Sequence, residues 1–410
     1  MGFSVFYFCC KAWQFNKFKF PFFRAFLWGV LAVGSLLFAG FNSSRTSEKT
    51  VDKAVYKSFH PGAVWYDTDS VHINAHGGGM LFHEDTYYWF GEHKTAGVSG
   101  NTALVGIRCY SSQDLYNWKN EGIAFESADD PESEIVKGAV MERPKVIFNE
   151  ATKKFVMWFH LELKGQGYSA ARTGVAISDK VTGPYEYLRS FRPNAGTWPV
   201  DATEKMKAAS FSESLEWWTP AWHEAVEQGL FVKRDFETGQ MSRDMTLFVD
   251  DDGTAYHIHS SEENLTLHIS KLSADYTSFT DRWTRIFPGG HNEAPALFKR
   301  KGKYYLITSG CTGWAPNAAR SFVSDSIWGP WQQLGNPCVG DGAELTFHSQ
   351  STFVLPVNGK EDAFIFMADR WKPKNPIDGR YIWLPVEFQG DKPLLKWRDE
   401  WDLSVFNAKD

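Results

Sequence analysis

The chain repeats one pattern five times, and each copy consists of a polar residue, an apolar run, a turn and a strand rich in aromatic residues. A pattern that recurs in one phase indicates stacked units, none of which can bury its apolar face alone. The residues that open the copies should therefore occupy equivalent places in the fold. They are His76, Glu142, Asp244, Glu293 and Gln350.

The turns inside the repeats are typical of β-hairpins, as at Asp250–Gly253, Lys301–Gly302 and Asn358–Gly359. A second hairpin follows most repeats, which gives four antiparallel strands per unit. We therefore predict an all-β fold, a five-bladed β-propeller whose first strands line the axis. A β-sandwich is the alternative, but it does not account for an equivalent polar residue in every unit.

One stretch, residues 193–241, breaks the period between the second and third repeats. Its spacing is helical near residues 201–216, so we predict a partly helical insertion. The insertion either forms one wall of a pocket or packs on the outside of the ring of blades. It carries Trp198, Trp217, Trp218 and Trp222.

The composition excludes some classes of partner. The formal net charge is -6 and no basic stripe follows residue 40, so nucleic acid is not expected as a partner. Hydrophobic residues make up 43% of the chain, which allows a sizeable core. The 18 tryptophans fit a β-rich fold with aromatic surfaces for stacking. We expect a monomer.

The N-terminal region has the order of an export signal. Basic residues up to Arg24 precede the uncharged apolar stretch Ala25–Gly40, and small and polar residues follow it. We predict a signal peptide or N-terminal anchor over residues 1–45 and a propeller domain over residues 46–410. The protein would then be exported to the periplasm or the extracellular space.

Three of the opening residues are carboxylates: Glu142, Asp244 and Glu293. Carboxylates that face each other repel, so the pKa of one rises and it keeps its proton near neutral pH. A protonated carboxyl beside an ionised one is the apparatus of glycosidic cleavage, and aromatic side chains would stack on the sugar.

The alternative for these carboxylates is a cation site, and a structural Ca²⁺ stays open on this reasoning. The sequence has no ligand-dense calcium loop, because Asp250–Gly253 is better interpreted as a hairpin turn. The histidines lack the spacing of a zinc site. We expect no metal in the site and no cofactor.

Several segments, in order, resemble glycoside hydrolase family 43, and within it the exo-β-1,3-galactanase subfamily, subfamily 24. They are INAHGGGMLF with YYWFGEHK, ERPKVIFN, SRDMTLFVDDDG, EAPALFKRKGKYYL and SGCTGWAPN. The resemblance covers residues 60 to 405. It implies a five-bladed propeller and hydrolysis with inversion.

The resemblance also implies roles for single residues. Glu293 matches the general acid of the family, and Asp244 matches the Asp that tunes that acid. Glu142 matches a second-blade Glu that the subfamily needs. The residues that match sugar-contacting positions are Glu92, Tyr168 and Thr312, and we add His76 and, on position alone, Trp314 as candidates for substrate binding.

The sequence departs from most of the family at the first blade, where a general-base Asp is expected. The chain has His76 in that region and no carboxylate. The subfamily shares this loss and is thought to use a Gln, in its imidic tautomer, to handle the water. Gln350 matches that residue, although a Gln at the start of a strand is more often a structural residue.

We therefore expect an exo-acting glycosidase that releases terminal galactose from β-1,3-galactan, such as an arabinogalactan backbone. Its partner would be a polysaccharide or oligosaccharide substrate. Two alternatives stay open. One is an α-L-arabinofuranosidase or β-galactofuranosidase of the same fold, and the other is a sugar-binding propeller without catalysis.

Overall fold

The structure is a computed structural model that describes residues 55–212 and 214–407. These residues form five mainly antiparallel sheets that follow one another along the chain. The first strands of neighbouring sheets contact each other all the way around, so the sheets close into a ring. This arrangement confirms the prediction of a five-bladed β-propeller.

The first two blades follow the predicted order of two consecutive hairpins. The polar residue of each repeat lies at or near the start of the innermost strand. Blade one has β1 (His76–His83), β2 (Thr86–Lys94), β3 (Leu104–Ser112) and β4 (Lys119–Glu126), and blade two has β5 (Val140–Asn149), β6 (Lys154–Glu162), β7 (Arg172–Ser178) and β8 (Glu186–Phe191).

Blades three and four repeat this order. Asp250 to Gly253 forms the turn between the first two strands of blade three, closed by a hydrogen bond from Gly253 N to Asp250 O of 2.9 Å. The strands are β9 (Met245–Val249), β10 (Ala255–Ser261), β11 (Thr266–Leu272) and β12 (Phe279–Ile286), then β13 (Glu293–Arg300), β14 (Lys303–Ser309), β15 (Arg320–Ser324) and β16 (Gln332–Gly335).

Blade five has five strands instead of four, because a short strand that precedes it in the chain pairs in parallel with its outermost strand. This short strand was not predicted from the repeat. The strands are β17 (Cys338–Val339), β18 (Gln350–Pro356), β19 (Phe364–Arg370), β20 (Arg380–Gln389) and β21 (Lys392–Lys396).

Each gap between neighbouring blades is filled by its own cluster of buried apolar side chains. The cluster between blades one and five is the most aromatic, and it includes Trp89, Trp118 and Trp383. Much of the tryptophan content therefore stabilises the ring. Only part of it is left for the stacking surfaces that the composition suggested.

The two ends of the described chain meet in this same gap. Phe59 and Trp401 form an antiparallel bridge, and their rings stack with centroids 4.3 Å apart. The Trp401 Nε1 donates to the backbone oxygen of Trp383 at 2.8 Å. The leading and trailing segments of the chain are thereby tied to each other where the ring closes.

The predicted insertion lies between β8 and β9 and contains three short helices, α1 (Glu204–Ala208), α2 (Pro220–Glu227) and α3 (Leu230–Arg234). It packs on the outer strand of blade three, where Arg285 donates to the backbone oxygens of Val226 and Glu227. This packing supports the second of the two predicted arrangements.

The end of the insertion also approaches blade two. Asp235 and Met241 border a surface depression together with Tyr168. The insertion therefore packs on the outside of the ring and reaches the neighbourhood of one candidate site residue.

The predicted signal peptide or anchor, residues 1–45, lies outside the described residues and stays a prediction. In the part of the chain that the structure describes, no helix is long and apolar enough to cross a membrane.

Candidate active site

The opening residues of the repeats lie at the axial ends of the five innermost strands. His76, Glu293 and Gln350 are the first residues of β1, β13 and β18. Glu142 is the third residue of β5, and Asp244 directly precedes β9. One end of the axis is therefore surrounded by the polar residues that the repeat singled out.

A second ring of polar residues surrounds the first. In four blades the second strand pairs a polar residue with the opening residue, so both project toward the same end of the axis. The repeat did not reveal these partners. The pairs are His76 with Glu92, Glu142 with His160, Glu293 with Ser309, and Gln350 with Asp369.

Just after the opening residue, four of the inner strands change register, which is typical of a β-bulge. In three blades the residue directly after the opening residue has a left-handed backbone: Gly77, Arg143 and Ala294, with φ of 61°, 56° and 52°. A left-handed residue turns its N–H away from the ladder, so these amides are free to bind other groups.

These three amides hold carboxylates of neighbouring blades. Each bulge thus donates a main-chain hydrogen bond across a gap between blades and links the blades at the axis. The bonds are Gly77 N to Asp369 Oδ2 (2.5 Å), Arg143 N to Glu92 Oε1 (3.0 Å) and Ala294 N to Asp244 Oδ2 (3.1 Å).

Arg143 links the residues of three blades. Its Nε and Nη2 donate to the two oxygens of Asp244 at 3.2 and 2.9 Å, and Nη2 also donates to Gln350 Oε1 at 2.5 Å. Trp371 lies over its guanidinium, 5.2 Å from ring centroid to Cζ. Because the guanidinium fork is planar and buried, it fixes Asp244 and Gln350 relative to each other.

The amide of Gln350 has a defined orientation. Its Oε1 accepts from Arg143 and from Trp371 Nε1 at 3.2 Å, and both of these groups can only donate. Its Nε2 donates to Ser309 Oγ at 2.9 Å and keeps a second N–H. The two donors on the oxygen stabilise the amide form and oppose the hydroxyl of an imidic tautomer.

Glu142 forms a buried ion pair with His160. His160 Nδ1 lies 3.0 Å from Glu142, and its Nε2 lies 2.9 Å from Glu162. Burial raises the pKa of Glu142, but the hydrogen bond and the charge of His160 outweigh it and lower the pKa to about 2. Tyr168 OH donates to the other oxygen of Glu142 at 2.9 Å. Glu142 is therefore ionised and fixed on both oxygens.

Glu293 is in the opposite electrostatic situation. Burial, together with the negative charge of Asp244, raises the pKa of Glu293 to about 7, although Arg143 opposes the shift. Asn264 Nδ2 donates to its Oε1 at 2.7 Å. A carboxyl group with this pKa is protonated in a large fraction of molecules near neutral pH, as a general acid requires.

The axial cavity, of about 290 Å³, brings together seven of the nine predicted site residues. All four predicted catalytic residues line it, and so do three of the predicted sugar-contacting residues. The seven are Glu142, Asp244, Glu293 and Gln350, with Glu92, Tyr168 and Trp314.

The other two predicted residues do not line this cavity. His76 is 1% exposed, and its ring stacks on Tyr381 at 5.5 Å. Burial lowers its pKa well below the usual range, so it is a neutral packing residue beside the axis. Thr312 lies in the loop after β14, where its hydroxyl donates to the backbone oxygen of Ala315 at 2.6 Å and shapes the loop that carries Trp314.

Sequence reasoning missed the other seven residues that line the cavity: Asn101, Arg143, His160, Arg243, Asn264, Gly313 and Trp371. Arg143 directly follows the opening residue Glu142, and Trp371 comes two residues after Asp369. Their charge and ring gave no distinct signal, because a charged or aromatic residue near a strand end is common at a surface.

One set of side chains in the cavity has the spacing of a metal site. Among the described residues, Glu142, His160 and Asp244 have ligand atoms within 4.8 Å of one another. Both nitrogens of His160 are hydrogen-bonded to carboxylates, which raise its pKa to about 9 against the effect of burial. A protonated imidazole has no lone pair for a cation.

A propeller with a protonated and an ionised carboxyl group in one axial cavity is suited to cleaving glycosidic bonds. Residues 213–389 match the family described as glycosyl hydrolases family 43. A solved family 43 β-1,3-galactosidase with galactodeoxynojirimycin is 58% identical, with a TM-score of 0.82 over 84% of this chain and 100% of that chain. The chain belongs to glycosyl hydrolases family 43 and is a glycosidase.

Two more distant structures are similar over nearly the same residues. An exo-β-1,3-galactanase from Phanerochaete chrysosporium, solved with β-1,3-galactotriose, is 32% identical, with a TM-score of 0.68 over 85% of this chain and 69% of that chain. One from Clostridium thermocellum is 35% identical, with a TM-score of 0.67 over 84% and 66%. The chain has no match among curated protein sequences.

Proposed function

We propose that this protein is an exo-acting β-1,3-galactosidase that releases terminal galactose from β-1,3-galactan with inversion. The observation that carries the proposal is that one cavity holds two carboxyl groups whose pKa values are shifted in opposite directions. The pKa of Glu293 is raised to about 7, and that of Glu142 is lowered to about 2. The activities named for the similar structures supply the sugar and the linkage.

In this proposal Glu293 donates its proton to the glycosidic oxygen as the bond to the terminal galactose breaks. Asp244 raises the pKa of Glu293 by its negative charge, and the fork of Arg143 holds both of its oxygens. Because Ala294 N also binds Asp244, the acid and its neighbour keep a fixed relative position.

Gln350 and Glu142 organise the attacking water. The second N–H of Gln350 donates to the water oxygen, since its carbonyl is already occupied by Arg143 and Trp371. The carboxylate of Glu142 is an acceptor for a water proton. This division of roles does not need the imidic tautomer, because Gln350 acts as a donor.

The remaining cavity residues hold the sugar. Tyr168 and Glu92 contribute polar groups, and Trp314 contributes an indole that is 44% exposed. An aromatic face of this kind stacks on the apolar face of a galactose ring.

The experiment is hydrolysis of β-1,3-galactobiose with NMR detection of the first anomer released. We expect α-galactose, together with little activity on β-1,4- and β-1,6-galactobiose. Nitrophenyl α-L-arabinofuranoside and β-galactofuranoside serve as alternative substrates. Faster cleavage of either furanoside, or release of β-galactose first, contradicts the proposal.

Glu293→Gln tests the acid directly. The amide keeps the shape of the side chain but cannot donate a proton, so kcat should fall about 10²–10⁴-fold. Activity within about tenfold of the wild type would remove Glu293 from the role of general acid. Circular dichroism of the variant controls for loss of the fold.

A further inference from the structure

A second cavity, of about 380 Å³, opens beside the catalytic cavity. The two share Gly313, Trp314, Gln350 and Trp371, so a ligand can extend from one into the other. We call the second cavity the basic lobe. Its remaining lining residues come from the ends of β14 and β19, from the loops after these strands and from the segment before β18. They include Asn317, His348, Arg370 and Lys372.

The basic lobe differs from the catalytic cavity in charge. Four carboxylates line the catalytic cavity, whereas Arg370 and Lys372 line the lobe and no carboxylate does. In the part of the chain that the structure describes, neither cation is ion-paired, and the buried Nε of Arg370 has no hydrogen-bond partner. Two uncompensated cations in one concave site favour an anionic ligand.

The backbone beside the lobe is strained. Thr346, Phe347 and His348 have left-handed φ values of 51°, 55° and 61°, which is uncommon for residues with side chains. Arg370 Nη2 donates to Phe347 O at 2.7 Å, and Thr346 Oγ1 donates to Asn317 O at 2.7 Å. The strained segment is therefore held by two residues that themselves line the lobe, and strain of this kind is concentrated at functional sites.

The lobe adjoins the catalytic cavity at Gln350. Gln350 lines both cavities, whereas Glu293 lines only the catalytic one. The leaving oxygen must be within hydrogen-bond reach of the acid, so the galactan chain continues on the Glu293 side. What enters the basic lobe is then a group carried by the terminal galactose itself.

We propose that the basic lobe binds an acidic sugar, a uronic acid attached as a side chain to the terminal galactose. The lobe is comparable in size to the cavity for the terminal sugar, and Trp314 and Trp371 offer apolar faces for a second ring. A lone sulfate ester would satisfy the cations but leave these faces unused. This inference rests on the proposed function, because it assigns the cleaved sugar to the catalytic cavity.

The test compares kcat/KM for three galactobioses: the neutral compound, one with a uronic acid on the terminal galactose, and one with it on the reducing-end galactose. We expect the first acidic compound to be preferred over the neutral one by about threefold to tenfold, since partly exposed ion pairs are weak. The preference should become smaller at about 0.5 M salt, because salt at this concentration screens the attraction between exposed charges. A galactobiose with a sulfate ester on the terminal galactose separates charge from ring contact.

Two lysines of one loop provide the matched variants. Lys372→Glu should reverse the preference and lower the ratio of acidic to neutral kcat/KM by about tenfold or more. Lys374→Glu changes the charge equally two residues further on, at an exposed position outside the lobe, and should leave both values unchanged.

The outcomes separate the two proposals. Cleavage of neutral galactobiose without preference for the terminal uronic acid overturns the basic lobe and leaves the proposed function intact. Preference for the reducing-end uronic acid, equal preference for the sulfate ester, or an equal effect of Lys374→Glu also overturns it. If no galactobiose is cleaved, the proposed function fails, and binding of the acidic compounds to the wild type by calorimetry still decides whether the lobe takes a uronic acid.

Discussion

At the scale of single residues, the site depends on giving similar side chains different protonation states. Glu142 lies beside a protonated imidazole, and Glu293 lies beside another carboxylate. Arg143 compensates Asp244 and orients Gln350 with one guanidinium. The identity of a side chain is therefore less informative than the charge of the group placed against it.

The alkaline limb of the pH–activity profile should report the pKa of Glu293. Since that pKa is about 7 and the acid must be protonated, we expect kcat/KM for galactobiose to fall about tenfold per unit above it. Asp244→Asn removes a negative neighbour, so the limb should move to lower pH. An unchanged limb in this variant would contradict the assignment of Asp244.

Gln350→Ala should lower kcat more than it raises KM, because the lost N–H holds the water and not the sugar. We expect a loss of about 10²-fold, within the range for removing one oriented donor. Thermal unfolding serves as the control, since a packing role would lower the melting temperature and leave the rate of the folded enzyme unchanged. That second result would return Gln350 to a structural role.

The residues of the site differ in how far the sequence alone identifies them. The opening residues could be found because they recur in one phase of the repeat. Glu92 was reached only through the family resemblance, and His160 was not found. The partners on the second strands depend on cross-strand register, and the bulges that aim Arg143 and Ala294 depend on backbone angles that residue types do not specify.

At the scale of secondary-structure elements, the bulged inner strand is the recurring device. Beyond the bulge the strand pairs regularly with its neighbour, and at the bulge one backbone N–H near the axis is left free for another partner. The hairpins themselves were predictable, because turn residues and alternating apolar positions mark them. Strand β17 was not, since two residues paired with a distant strand leave no periodic pattern.

Two alanines of β13 provide a test of the bulge. Ala294 is left-handed, with φ of 52°, which costs about 1–2 kcal/mol, so Ala294→Gly should leave the free energy of unfolding unchanged or slightly higher. Ala296 is fully buried in regular strand, and Ala296→Gly should lower it by about 1 kcal/mol. Urea unfolding measures both, and equal losses would argue against strain at Ala294.

The insertion shows the limit of prediction for an irregular element. Its position and partly helical character followed from the interrupted period. Its packing did not, because it depends on Arg285 of blade three reaching the carbonyls at the end of α2. A charged residue in a strand gives no hint that it caps a helix far from it in sequence.

At the scale of the whole molecule, five apolar clusters hold five blades, and the joint between blades one and five is closed by Phe59 and Trp401. The blade count was predictable from counting repeats. The joint was not, because it pairs residues from the two ends of the described chain and belongs to no repeat.

Trp401→Ala should therefore destabilise the protein by about 3–5 kcal/mol, the usual loss for a buried aromatic side chain. Trp397, which is 36% exposed, is the matched control, and Trp397→Ala should cost about 1 kcal/mol. Chemical unfolding followed by tryptophan fluorescence and circular dichroism distinguishes them. Similar losses in the two variants would show that the joint contributes no more than surface packing.

Because the hydrogen bonds of the site cross from blade to blade, we expect the site to form late in folding. Gly77 can bind Asp369 only after blade five has returned to blade one, and Arg143 can bind Asp244 only after blades two and three have docked. Contacts between residues so distant in sequence form slowly. During refolding, catalysis should return together with closure of the Phe59–Trp401 joint, so the activity itself reports the moment at which the ring becomes complete.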